Sequence, residues 1–209
     1  MPNENLRAIE RIVRGGLKSI RVCLWDGPDE YWPQKGEENG LPERNLSMHV
    51  GHKFLEHGWR VFAEASYPNK TNRRVDLLAI RKGTLVACEC KQLDLADRAG
   101  GFADDVKDLR SFRLLTEWDT DEWEAPEISS RYGLLLAVTW NQKIRDWWMQ
   151  NRNCQSIPEN FTGRGWETLG RLLDKIDATG NASFGEIWLH RENNKPSFWA
   201  LYGIFKLPK

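Results

Sequence analysis

Short apolar segments alternate with longer amphipathic ones along this chain. Residues 75–80 (VDLLAI) and 84–90 (TLVACEC) have the length and the apolar content of buried strands, and the three residues between them end in Gly83. Glycine tolerates the positive φ that a tight turn requires. The pattern therefore predicts a β-hairpin in which Arg81 pairs with Thr84.

Charged side chains meet at the open end of this predicted hairpin. If the register holds along both strands, Asp76 lies directly opposite Glu89, and the two-residue periodicity places Lys91 on the same face as Glu89. A purely hydrophobic core does not require two carboxylates and an ammonium group in one place. The alternative is an edge strand whose charges only keep it soluble.

Metal-assisted phosphodiester hydrolysis is the chemistry that uses such a set. Two carboxylates and a backbone carbonyl form a hard oxygen site for Mg²⁺, and the metal lowers the pKa of a bound water. A neighbouring lysine can deprotonate the nucleophile or stabilise charge in the transition state. We therefore predict Asp76, Glu89 and the Cys90 carbonyl as metal ligands, with Lys91 as the base or the charge stabiliser.

Asp76 followed by Glu89-x-Lys91 and Gln92 resembles the core of the PD-(D/E)xK nuclease superfamily, over about residues 46–138. Val75 stands where the proline of the family motif would stand. The resemblance implies an α/β, restriction-endonuclease-like fold, in which a mixed central sheet is flanked by helices. It also implies a catalytic site with Mg²⁺ or Mn²⁺ as cofactor, in which Gln92 positions water or phosphate.

The same resemblance implies an activity and a setting. It favours DNA over RNA as the substrate and an endonuclease over an exonuclease. A compact nuclease of this kind fits a restriction, repair or anti-phage defence system by analogy. Homodimerisation and a separate protein partner are both left open.

Many branches of the family carry a further acidic residue on the helix before the first strand. We expect that helix at residues 46–57, ending at Gly58, and its expected acidic position, residues 47–49, has no carboxylate. On this prediction Glu43 lies too early and Glu56 too late. Glu64, in the predicted strand 59–65, is a candidate additional metal ligand or water-positioning group, and its alternative is a solvated strand residue.

The remaining pattern predicts an N-terminal extension and one larger domain. A first helix at 5–19 and a mobile polar loop at 26–44 form the extension (1–45), and the nuclease-like domain covers 46–209 with its core at 46–140. Beyond the hairpin we predict a helix at 102–115 opened by Gly100 and Gly101, a buried strand at 132–139, helices at 141–151 and 166–176, and a C-terminal β-hairpin of strands 184–190 and 197–205.

Charge does not by itself indicate a nucleic-acid-binding protein, because 30 basic and 30 acidic side chains cancel. The distribution is uneven, however. Arg73 and Arg74 precede Asp76, and Lys107 and Arg110 lie on the helix predicted after the motif. Acidic residues are concentrated in segment 117–127, which is predicted to be an exposed loop. We predict these four basic residues as DNA contacts. The alternative for each pair is a solvated face.

Composition excludes several other classes of protein. No segment approaches the roughly 18 apolar residues of a membrane span, and no signal-peptide pattern opens the chain. The four cysteines form neither a disulfide framework nor a zinc pattern, so we expect Cys88 and Cys90 to be core thiols on the face opposite Glu89, in a cytoplasmic protein. Five of the eleven tryptophans lie in amphipathic segments, where packing in the core or at an interface is expected (Trp147, Trp148, Trp166, Trp188 and Trp199).

A second function belongs to a different class. The neutral charge and the missing helix acid are also consistent with a catalytically inactive, nuclease-like subunit that binds DNA or takes part in an assembly. Dependence on a divalent metal separates the two functions, because only the nuclease needs Asp76 and Glu89 as ligands.

Overall fold

The computed structural model describes residues 4–26, 43–67, 73–94, 97–112, 127–150, 161, 163–178 and 181–208. Its strands are β1 (Arg60–Ser66), β2 (Arg74–Arg81), β3 (Thr84–Gln92), β4 (Ser130–Thr139), β5 (Ala182–Glu192) and β6 (Lys195–Lys206). Its helices are α1 (Glu4–Asp26), α2 (Glu43–Glu56), α3 (Arg98–Ser111), α4 (Gln142–Gln150) and α5 (Arg164–Asp177).

The six strands form one mixed sheet in the order β1-β2-β3-β4-β6-β5. Strands β3 and β4 are parallel, and every other neighbouring pair is antiparallel. The continuously apolar β4 lies in the interior of the sheet, as expected for a strand that is buried on both faces.

Helices cover both faces of the sheet. One hydrophobic cluster joins α1 and α2 to one face, and a second cluster joins α3, α4 and α5 to the other. The predicted α/β architecture, a mixed sheet flanked by helices with a C-terminal hairpin, is confirmed. None of the described helices is long and apolar enough to cross a membrane.

Both predicted hairpins are present. Strands β2 and β3 keep the predicted register from Arg81–Thr84 to Leu77–Cys88, and Gly83 has the positive φ of 72° that its turn requires. At the C-terminal hairpin, Asn193 and Asn194 both have positive φ, at 50° and 64°. Asparagine adopts this conformation more readily than most residues, which accounts for the position of the turn.

Two helix starts differ from the prediction. Helix α2 begins at Glu43, three residues before the predicted start, and α3 begins at Arg98 rather than at the Gly100-Gly101 pair. Gly100 and Gly101 therefore lie inside α3, where α5 crosses it closely. A Cβ added to Gly165 of α5 would lie 2.7 Å from the backbone nitrogen of Gly100. Residues 27–42 of the predicted mobile loop, residues 117–126 of the predicted acidic loop and the predicted end of α3 at 113–115 lie outside the described residues.

Helix α1 packs closely on α2. A Cβ added to Gly16 would lie 2.7 Å from the Cα of Val50, whereas one added to Gly15 would meet only the flexible side chain of Lys53. The hydrophobic side chains of α1 belong to the same cluster as those of α2. The division into an extension (1–45) and a nuclease-like domain (46–209) stays a prediction.

Polar contacts also join α1 to β6. The Tyr202 hydroxyl donates a hydrogen bond to Glu10 Oε1 at 2.8 Å, and Arg14 Nη1 donates to the same hydroxyl at 3.1 Å. Residues early and late in the chain are therefore tied together on one face of the sheet.

Four of the five tryptophans predicted to pack in amphipathic elements lie in the core. Trp147, Trp148, Trp166 and Trp199 are all buried. Trp188 is half-buried, with a guanidinium group stacked over its ring at 4.4 Å (Arg21) and another at 4.2 Å (Arg191).

Candidate active site

Strands β2 and β3 separate at the candidate site. Their ladder ends at the Leu77–Cys88 pair, so Asp76 does not form the predicted cross-strand backbone pair with Glu89. Instead, Asp76 Oδ2 accepts a hydrogen bond from the backbone N–H of Cys90 at 2.6 Å. A carboxylate therefore occupies the opening between the two strands and replaces a backbone acceptor there.

The neighbouring strand is irregular at the same level. The β1–β2 ladder pairs Ala63 with Leu77 and Ala65 with Val75 but omits the position between them, where Glu64 has a φ of 54°. A positive φ is unusual for a residue other than glycine and is found mostly at special sites. The Glu64 side chain is exposed and raises the pKa of Asp76, so this predicted ligand lies at the rim of the site.

Glu89 is a buried carboxyl group. Only 7% of the residue is exposed, and its Oε1 accepts a hydrogen bond from the Tyr67 hydroxyl at 2.8 Å. Burial, followed by the negative charge of Asp76, raises the pKa of Glu89 to about 9. Burial also raises the pKa of Asp76, against the effect of the Cys90 N–H. Asp76 therefore lies close enough to Glu89 for its negative charge to oppose the ionisation of Glu89.

Lys91 forms an ion pair that the sequence did not predict. Its Nζ lies 3.1 Å from Asp105 Oδ2 of α3, and both side chains are mostly shielded from solvent. Burial lowers the pKa of Lys91, but Asp105 and Glu43 outweigh it and raise the pKa above its ordinary value. Asp105 was missed because only the basic residues of this helix were considered, although its aspartates are interleaved with them.

Glu43 lies beside the candidate site, although the prediction placed it too early in the chain. The prediction rejected it as too early, but α2 begins at Glu43, and Glu43 Oε1 accepts a hydrogen bond from the backbone N–H of Gln92 at 2.8 Å. It also contributes to the raised pKa of Asp76. Glu43 is itself a signal that could have placed this helix start, because acidic residues favour the first helical turn.

The backbone carbonyl of Cys90 is a predicted metal ligand, and that role stays a prediction. Its thiol lies 3.9 Å from that of Cys88, and both are buried in the cluster beneath α1 and α2. Glu89 and Lys91 instead contact Tyr67 and Asp105, on the face covered by α3. The predicted core position of the two thiols, on the opposite face, is confirmed.

The four predicted DNA contacts differ in their surroundings. Arg73 donates a hydrogen bond to Asp108 of α3, and Lys107 Nζ lies 2.8 Å from Asp104. Arg74 and Arg110 are exposed. The first two cations are thus balanced by aspartates of α3.

The side chains of the site can be compared with the ligands that a divalent metal requires. Among the described residues, no group of three or more histidine, cysteine, aspartate or glutamate side chains is positioned to hold a metal ion. The type of donor nevertheless suits one, because four carboxyl groups lie near a single ammonium group (Glu43, Asp76, Glu89 and Asp105 near Lys91). Carboxylate oxygens are the ligands that Mg²⁺ and Mn²⁺ prefer.

Comparison of this chain with family models, with curated proteins and with solved structures finds no match. Any function must therefore be argued from the site itself.

Proposed function

We propose that this protein is a divalent-metal-dependent nuclease of the PD-(D/E)xK type, with a restriction-endonuclease-like fold. The observation that carries the proposal is the opening between β2 and β3, where Asp76 replaces a backbone acceptor beside the buried Glu89. Glu43 and Lys91 adjoin the same opening through Gln92 and Asp105. A charged set of this kind is costly in a protein interior unless it has a function.

Each side chain has a role in the proposal. Asp76 and Glu89 are the metal ligands, together with the Cys90 carbonyl, and Glu43 takes the place of the missing helix acid, with Glu64 at the rim. Bound Mg²⁺ or Mn²⁺ would supply an activated water and shield the phosphate charge.

Lys91 and Gln92 act on the substrate. The ion pair of Lys91 with Asp105 supports an ammonium group that stabilises charge on the phosphate, rather than a neutral amine that acts as a base. Gln92 positions water or phosphate from the end of β3.

DNA is the proposed substrate, cut by endonucleolytic attack, and RNA is the competing one. The setting proposed for the protein is cytoplasmic restriction, repair or anti-phage defence. These statements rest on the resemblance of Asp76, Glu89, Lys91 and Gln92 to the family motif.

A catalytically inactive, nuclease-like subunit is the second candidate. Two observations favour it: no three-ligand metal group is formed within the described part of the chain, and Lys91 is engaged by Asp105. Such a subunit would keep its DNA or protein partner after Asp76 and Glu89 are changed to alanine.

Cleavage assays separate the two candidates. Supercoiled plasmid, linear duplex, single-stranded DNA and RNA are incubated with Mg²⁺, Mn²⁺ or EDTA. We expect metal-dependent cutting that Lys91→Ala reduces by roughly 10²-fold or more, since it removes a charge stabiliser. Cutting that survives both Lys91→Ala and Asp76→Ala would reject the site.

Glu43 has a matched control in its own helix. Glu43→Gln removes a charge from the opening, whereas Glu56→Gln removes one from the exposed end of α2, where Glu56 pairs with His52. We expect Glu43→Gln to lower metal affinity, measured by calorimetry, and Glu56→Gln to leave it unchanged. Equal effects of the two variants would remove Glu43 from the site.

A further inference from the structure

A cleft of about 550 Å³ opens beside Asp76, on the side of the sheet opposite α3. Helix α2 forms one wall, and strands β1 and β2 form the other. Arg44, Glu64 and Arg74 lie at its polar end with Asp76. The cleft therefore reaches two residues of the proposed nuclease site, Asp76 and Glu64.

The other end of the cleft is apolar and open to solvent. Met48 and Leu55 of α2 line it, and these side chains are 59% and 54% exposed. They face Val61 and Leu77 from the strands. Exposed apolar side chains of this size, grouped in one concave surface, are typical of a binding site.

Cations at the polar end are available to a ligand. The Arg44 guanidinium is 88% exposed and reaches Glu64 only at 4.0 Å, in a pair that contributes little to stability. Arg74 is also exposed. Two arginines beside an apolar wall suit a ligand that has both anionic groups and flat apolar groups.

The opposite side of the site is less suited to phosphate. Helix α3 carries three aspartates around the site, Asp104, Asp105 and Asp108. Lys107 and Arg73 are each paired with one of them. Because both cations are already paired with carboxylates, Arg73 and Lys107 are less available to a phosphate than the arginines of the cleft.

We infer that the cleft between α2 and the strands β1 and β2 binds an unpaired nucleic-acid strand, with Arg44 and Arg74 at its phosphates and Met48 and Leu55 against its bases. This inference rests on the proposed nuclease function and names the form of its substrate. Bases stacked inside a duplex could not reach the apolar wall, whereas a single strand presents phosphates and bases together. A cleft of this size suits one or two nucleotides.

Binding can be measured without cutting by using Lys91→Ala as the background, because Lys91 does not line the cleft. Anisotropy of a fluorescently labelled single strand, and of the same strand in a duplex, gives both affinities as salt is varied. We expect the single strand to bind more tightly. Arg44→Ala and Arg74→Ala should each weaken binding and lower the salt dependence by roughly 0.7, the value for one phosphate contact on a single strand.

Met48→Ser and α3 variants complete the design. Met48→Ser should weaken single-strand binding several-fold with no change in salt dependence, because it removes an apolar contact and no charge. Lys107→Ala and Arg110→Ala are the matched controls, and we expect them to bind as the background does. Equal losses in the α3 variants, or equal affinity for the duplex, would overturn the inference.

Other outcomes distinguish this inference from the proposed function. If the cleft variants lose single-strand binding but the wild-type protein never cuts, the inference stands and the nuclease proposal fails. If the protein cuts but binding depends on α3, the nuclease proposal stands and the inference fails. Dimerisation that Met48→Ser abolishes would show that a second copy of the chain covers the cleft, which would also overturn the inference.

Discussion

Glu89 should make the metal-free protein less stable as the pH rises. Its carboxyl has a pKa of about 9 in the folded chain, against an ordinary value of 4.5. Between these values the folded chain holds a proton that the unfolded chain has released, so the stability that Glu89 contributes is complete below pH 4.5 and is lost as the pH rises through 9.

The size of the effect follows from the same two pKa values. Each pH unit in this window lowers the free energy of unfolding by about 1.4 kcal/mol, and the slope decreases near the folded pKa. Between pH 7 and pH 9 the loss is about 2 kcal/mol. The lowered pKa of His49 acts only below its ordinary value of 6.5, so this window avoids it.

Urea unfolding in EDTA at pH 7, 8 and 9 measures this loss directly. Glu89→Gln cannot release a proton, so we expect its stability to vary less with pH than that of the wild type, by about 2 kcal/mol over the window. The buried thiols of Cys88 and Cys90 also have raised pKa values, but the main cause is their burial, which both proteins share. Identical pH dependence in the two proteins would refute the reasoning.

Three further predictions concern neighbouring contacts. Asp105→Asn leaves the shielded ammonium group of Lys91 unpaired, so we expect about tenfold slower single-turnover cleavage. Asp104→Asn changes an exposed ion pair, so it should cost under about 0.5 kcal/mol in urea unfolding and leave cleavage unchanged. Equal cleavage rates in the two variants would contradict this prediction. Tyr67→Phe removes a hydrogen bond that favours the ionised Glu89, so calorimetry should show roughly fivefold weaker Mg²⁺ binding, and unchanged affinity would count against it. Gly16→Ala should destabilise the protein by about 1–3 kcal/mol, because the added Cβ crowds the backbone of α2. Gly15→Ala should be neutral or stabilise the protein by up to about 1 kcal/mol. Thermal unfolding measures both changes, and a larger loss of stability in Gly15→Ala would refute the described packing of α1 on α2.

Local patterns predicted the elements around the site well. The register of β2 and β3 follows from a two-residue turn and strict alternation, both visible within residues 75–90. Asp76 still does not pair with Glu89 as predicted, because the β2–β3 ladder ends at the adjacent pair, Leu77–Cys88. No local signal marks that separation. It coincides with Glu64, whose unusual φ belongs to a different strand.

The site residues that the sequence did not predict depend on element boundaries and on tertiary packing. Glu43 was rejected because the start of α2 was placed three residues late, and helix ends are the least certain features of a sequence pattern. Asp105 reaches Lys91 across a helix–sheet contact, which spacing along the chain does not show. The position of β6 between β4 and β5 is equally non-local.

The interior position of β6 has a consequence during synthesis. A ribosome exposes every proposed site residue, up to Asp105, well before it reaches Tyr202 and the rest of β6. Until then β4 lacks one of its two neighbours, and α1 lacks the hydroxyl that Glu10 and Arg14 share. The nascent chain therefore carries the complete motif on an unfinished sheet, and the proposed nuclease activity would be delayed until translation has passed the motif by about a hundred residues.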